Sequence, residues 1–237
     1  MQRHLKLFRE STRVNETGEH RPLRLKKAKM MLIGSTVLWV FAVSAGLWIM
    51  WNYANSPGTA ATPPARWPAE SRIPRVSDGA TLIMMAHPHC PCTRASVGEL
   101  ALLMARTQGR ITAYVLLLKP QGVPDDWEKT DLWNSAASIP GVHVLSDEDG
   151  IEAERFHAAT SGQTLLYDKD GRLLFSGGIT AARGHSGDNA GRGAIVSLLV
   201  QGEAERTETF VFGCPLFDQN SECRTGKGDA SHATASN

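Results

Sequence analysis

Met30 to Trp51 is a run of 22 residues without a charge, MMLIGSTVLWVFAVSAGLWIMW. A run of that length and apolarity is suited to one structure, a helix long enough to cross a bilayer core of about 30 Å. It divides the chain into a short basic end and a longer remainder. A secretory signal has a shorter apolar region and fewer residues ahead of it, so the run is expected to stay as an anchor.

Charge is distributed accordingly. Residues 1–29 hold nine Lys or Arg against three acids, whereas residues 30–237 hold sixteen against twenty-one. Arg21, Arg24, Lys26, Lys27 and Lys29 flank the entry side, and no charge follows the run until Arg66. The positive-inside bias then puts a cytoplasmic basic tail at 1–29 and everything past about Tyr53 on the far side. For a bacterial chain this means the inner membrane with a periplasmic domain, in a compartment where disulfides persist. No basic footprint for nucleic acid lies beyond the tail. Residues 52–68, with Pro63, Pro64 and Pro68, are expected as a partly extended periplasmic linker.

Residues 69–217 alternate strand and helix signals, which predicts one α/β domain with a central sheet. Its organising stretch is Thr81 to Ala105. The apolar Leu82-Ile-Met-Met-Ala86 suits a buried strand, His87-Pro-His-Cys-Pro-Cys-Thr93 a tight turn, and Leu100, Leu103 and Met104 recur at helical spacing. Cys90 and Cys92 therefore fall at a helix N-terminus, where unpaired amides and the helix dipole favour thiolate over thiol. Pro91 is preset for the first helical turn.

Farther along, Ile111–Leu118 and Val142–Leu145 read as strands. Asp125–Ser138, Gly150–Ala159 and Ala194–Leu199 read as helices, the last capped by Asp188 or Asn189. Trp127, Trp133 and His157 are expected as packing or surface residues. Gln163–Asp168 and Arg172–Ser176 flank an Asp170-Gly171 turn and predict a hairpin. The glycine-rich loop Arg183–Gly191 reads as a plain loop and cap, because it lacks a phosphate-binding pattern. Val211–Phe217 closes the domain with Cys214, and residues 218–237, Cys223 included, are expected to be a disordered tail.

Strand, cysteine pair at a helix start, strand, helix, hairpin and last helix is the order of the thioredoxin fold. Cys90-Pro-Cys92-Thr93-Arg-Ala-Ser-Val-Gly-Glu-Leu100 resembles the start of membrane-anchored thioredoxin-like proteins of the TlpA type. The whole pattern, with the glycine-rich loop and the closing Val-Phe-Gly-Cys-Pro-Leu, is similar to the RedB proteins of bacterial genomes. The resemblance implies a thiol-disulfide oxidoreductase with no cofactor, acting on periplasmic protein thiols and disulfides together with a redox partner. It puts Cys90 on the attacking cysteine and Thr93 on the resolving one, with Cys92 shifting the pair to Cys-x-Cys. Gln163-Thr164 stands where that family has a cis-proline followed by Thr.

On this reading Cys92 resolves the mixed disulfide, with Cys214 as the alternative resolving partner. Spacing leaves open that Cys214 is inert or bridged to Cys223. His87 and His89 are expected to lower the Cys90 pKa when charged and to serve as acid or base. A second reading binds copper(I) through Cys90, Cys92 and His185, soft thiolates with one imidazole. In a third, the domain is a non-catalytic binding module whose cysteine pair is vestigial.

Overall fold

The computed structural model describes residues 21–217, with side chains from Lys26 onward. The first helix, α1 (Arg21–Asn55), contains the whole apolar run and extends it at both ends. Part of the expected basic tail is thus helical, while residues 1–20 and the C-terminal residues 218–237 lie outside the described residues. Leu32, Ile33, Leu38, Trp39 and Phe41 are all exposed on it. Ser35 and Thr36 return their hydroxyls to the Leu32 carbonyl, which leaves no polar side chain of that turn without a partner. Lys26–Asn55 is long and apolar enough to cross a membrane.

The remaining elements are β1 (Ala80–Ala86), α2 (Pro91–Thr107), β2 (Ile111–Lys119), α3 (Asp131–Ala137), β3 (Val142–Glu148), α4 (Ile151–Arg155), β4 (Gln163–Tyr167), β5 (Leu173–Gly177) and α5 (Ala190–Gln201). They build one five-stranded mixed sheet in the order β3-β2-β1-β4-β5. β1, β2 and β3 run parallel to one another, β4 is antiparallel to β1 and β5 antiparallel to β4, Ile83 lying opposite Tyr114 on one side and Leu165 on the other. Central β1 is apolar throughout because both its faces are covered.

Alternation along β1 separates the two faces. Leu82, Met84 and Ala86 meet Val97, Leu100, Leu103 and Met104 of α2 and Ala194 and Ile195 of α5. Ile83 and Met85 face Ala153 of α4, Phe156, Leu165, Tyr167 and Leu216. The hairpin turns at Gly171, whose φ of +75° is the left-handed value an Asp-Gly turn needs. At α5 it is Asn189, not Asp188, whose side chain accepts the Arg192 amide as N-cap, worth about 1 kcal/mol.

Several elements differ from the sequence expectation. The helix expected over Asp125–Ser138 forms only from Asp131, because residues 125–130 turn to place Glu128 in a buried pocket beside Ser146 and Lys119. α4 is half the expected length, ending where His157 takes a positive φ. Of residues 52–68, expected as a linker, 52–55 belong to α1 and later ones bind the domain: Trp67 donates its amide to the Gly171 carbonyl and packs edge-on against Phe156 and Tyr167 at 5.2 and 5.3 Å.

Candidate active site

The site lies where β1 ends and α2 begins. Cys90 is the N-cap of α2, in extended conformation with φ −85° and ψ 116°, and Pro91 opens the helix. The turn between them is fixed by His87, whose carbonyl accepts the Cys90 amide at 3.1 Å and whose own amide donates to Ser161 Oγ at 2.9 Å. Thr93 Oγ1 lies 2.8 Å from the same Ser161 hydroxyl, so the helix start is tied to the approach of β4.

Cys90, Cys92 and Cys214 form one buried cluster. Cys90 Sγ and Cys214 Sγ are 3.0 Å apart although the residues are 124 positions apart in the chain. Cys214 arrives there through backbone pairing: Ser161 donates to the Cys214 carbonyl at 2.8 Å and Leu216 to the Ala159 carbonyl at 2.9 Å, around a bridge between Thr160 and Pro215. Gly213 is required by this approach, since a Cβ there would overlap the Ser161 carbonyl.

The thiols divide the charge unequally. Hydrogen bonds from Cys214 and then Cys92 hold Cys90 far below the ordinary thiol range, outweighing its burial, and Thr93 adds to this. Cys92 moves the opposite way, pushed up by its hydrogen bonds to Cys214 and Cys90 and by burial. One thiolate at Cys90, held by neighbouring thiols, is the state the site favours.

Trp127 and the two histidines line the turn. His89 is exposed and lies on Trp127 with ring centroids 4.6 Å apart, its Nε2 3.1 Å from the Trp127 carbonyl. His87 is buried, edge-on to Trp127 at 5.5 Å, and its Nδ1 accepts the His89 amide. Burial lowers the His87 pKa against the raising effect of Cys90. The expectation that a charged His87 stabilises the thiolate is therefore corrected: its imidazole is held toward the neutral form, and the other thiols supply the stabilisation. Trp127, expected only as a packing residue, is also a wall of the site.

His185 is not gathered in with the cysteines by any contact described; it is exposed in the loop before α5, its amide donating to Ala182. Among the described residues no three Cys, His, Asp or Glu side chains are grouped so as to hold a metal ion. The glycine-rich loop is more than a cap. Gly187 donates its amide and Asn189 its side-chain amide to the Glu99 carboxylate, which also pairs with Arg192, both charges being almost fully buried. Glu99 sits on α2, so this network fastens α5 to the helix that carries Cys92. At the start of β4 the backbone is trans: no cis peptide occurs among the described residues, and Gly162 precedes Gln163 with φ +90°.

A parallel β-α-β unit, a cysteine turn at the C-terminal end of the central strand, and an antiparallel hairpin followed by a helix define a thioredoxin-like fold. No family model matches the chain, and no curated protein does. Among solved structures, a hypothetical protein of Sinorhizobium meliloti is similar over 68% of this chain and 97% of its own, with TM-score 0.54 and 19% identity. An uncharacterized conserved protein of Geobacillus kaustophilus is similar over 70% of this chain and 94% of its own, with TM-score 0.50 and 21% identity. Thiol-disulfide oxidoreductases are among the weaker matches. A secreted disulfide oxidoreductase of Mycobacterium tuberculosis covers 41% of this chain and 67% of its own, at TM-score 0.34 and 16% identity. At these identities the likeness is one of fold.

Proposed function

We propose that the chain is a membrane-anchored thiol-disulfide oxidoreductase whose attacking group is the Cys90 thiolate. The observation that carries this is the position of Cys90: at a helix N-terminus, in contact with two further thiols, with its pKa driven down by them. A thiol needs these conditions to attack a disulfide at neutral pH, since only the thiolate is nucleophilic. The TlpA resemblance of the segment from Cys90 to Leu100 and the RedB resemblance of the wider pattern agree with it. Substrates on this reading are protein disulfides and dithiols, and no bound cofactor takes part.

The helix Arg21–Asn55 anchors the domain, and the basic flank ahead of Met30 orients it with the N-terminus cytoplasmic and the domain periplasmic. The copper(I) reading loses support because His185, its proposed imidazole, is exposed and apart from the cysteine contacts. The binding-module reading, with which the trans backbone at Gly162-Gln163 agrees, gives the three-thiol cluster no role.

The test is turnover of a model disulfide such as insulin by the full chain in detergent, with dithiothreitol as the final reductant. The wild-type chain accelerates reduction and Cys90→Ser abolishes the acceleration. Equal turnover by the two proteins would refute the assignment.

A further inference from the structure

We infer that the cysteine which closes onto Cys90 is Cys214, delivered by the C-terminal segment, and not Cys92, its neighbour in the Cys-Pro-Cys turn. The inference rests on the oxidoreductase reading and completes it by assigning the second half of the couple.

The first observation is distance. The Cys90 and Cys214 sulfurs are 3.0 Å apart, about 1 Å beyond a bonded pair at roughly 2.05 Å. A small rotation about one side-chain bond covers that gap. The second is helix geometry. Cys90 is the extended N-cap and Cys92 lies inside the first turn, so although the two thiols touch, a bond between them has to close a short ring through Pro91 within the narrow geometry a disulfide allows. Joining them means unwinding that turn, including the bond from the Thr93 amide to the Cys90 carbonyl at 3.1 Å.

The third observation is how firmly the segment holds Cys214 in register. On one side Ser161 and Ala159 pair with it, and Gly213 permits the close approach. On the other, Gly58 donates its amide to the Val211 carbonyl at 2.8 Å, and Arg183 Nη1 donates to the Gly213 carbonyl at 2.6 Å while its Nε reaches the Ser56 carbonyl at 3.1 Å. Residues from three distant parts of the chain thus fix one thiol opposite Cys90.

The chemistry balances with a client disulfide as oxidant. Cys90 thiolate attacks one client sulfur, the client S–S bond breaks, and the released client thiolate takes up a proton. Cys214 then gives up its proton to solvent and attacks Cys90 Sγ, breaking the mixed disulfide and releasing the second client sulfur as a thiolate, which takes up a proton from solvent. Two electrons have passed to the client, and the Cys90–Cys214 disulfide remains. Cys92 stays a thiol throughout and acts as a positioning residue that donates to the Cys90 sulfur. Its upward-shifted pKa suits that role.

The experiment titrates the full chain in detergent against oxidised and reduced glutathione. Free thiols are counted by mass for wild type, Cys92→Ser and Cys214→Ser, and the oxidised wild type is mapped by tryptic peptides fragmented to locate the linked cysteine, since Cys90 and Cys92 share the peptide 76–94 and Cys214 and Cys223 the peptide 207–224. The expected result is a two-electron transition retained in Cys92→Ser and lost in Cys214→Ser, with fragment ions of the joined wild-type peptides placing the bridge on Cys90 and Cys214. Retention in Cys214→Ser with loss in Cys92→Ser would overturn the inference, as would a map with Cys90 linked to Cys92 or Cys214 linked to Cys223. The wild-type map decides the point even if a variant misfolds. Absence of any transition in wild type would bring down the oxidoreductase reading itself, and this inference with it.

Discussion

At the scale of single residues the protein's chemistry comes down to one depressed and one elevated thiol in the same cluster. Cys90 is lowered by the hydrogen bonds it receives from Cys214 and Cys92, while Cys92 is raised by the same contacts seen from the donor's side. An ordinary thiol ionises near pH 8.5, so the reduced protein should carry thiolate absorbance at 240 nm well below that pH, and Cys90→Ser should remove it. Absorbance that appears only above pH 8 in the wild-type chain would contradict the assignment. The sign of the linkage follows. Because the folded pKa is depressed, ionised Cys90 adds stability that is present above about pH 8.5, the unfolded value, and is lost as pH falls through the folded value. His87 cannot supply this stabilisation, because burial holds it toward the neutral form.

At the scale of elements, the site depends on how α2 is held. Its N-terminus is anchored to the approach of β4 through Thr93 and Ser161, and its third turn to α5 through Glu99 and Arg192. Glu99 and Arg192 are 1% and 4% exposed, and removing one charge of such a pair leaves the other buried without compensation, at a cost of about 3–5 kcal/mol. Arg192→Leu and Glu99→Gln should each lower the unfolding free energy measured by denaturant titration by an amount in that range. The double variant should lose less than the two singles combined, since it strands no charge. Equal, additive losses would mean that the pair is not coupled. Asp188, fully exposed on the same loop, also meets Arg192, but a contact so open to solvent adds little.

At the scale of the whole molecule, the Cys90 to Cys214 connection would close a loop of 124 residues. Chain entropy makes such a link worth about 5 kcal/mol, whereas a link across Cys-Pro-Cys constrains almost nothing. Oxidising the full chain in detergent should therefore raise its resistance to urea by several kcal/mol, and reduction should reverse it. No difference between the two states would place the disulfide within the turn.

Much of this architecture was legible in the chain. The uncharged run from Met30 specified a helix, the Leu82–Ala86 run a buried strand, Asp170-Gly171 a hairpin and Pro91 a helix start, because each depends on local sterics or on the period of apolar residues. That Cys90 would sit at a helix N-terminus followed from the same local signals. What the chain order could not decide is which thiol meets Cys90, that Trp127 lines the site, that Glu99 and Arg192 bury their charges against each other, or that His185 stays outside. Those outcomes are set by contacts between residues dozens to more than a hundred positions apart, and they are decided only when the sheet, its two covered faces and the returning segment at Gly213 are assembled together.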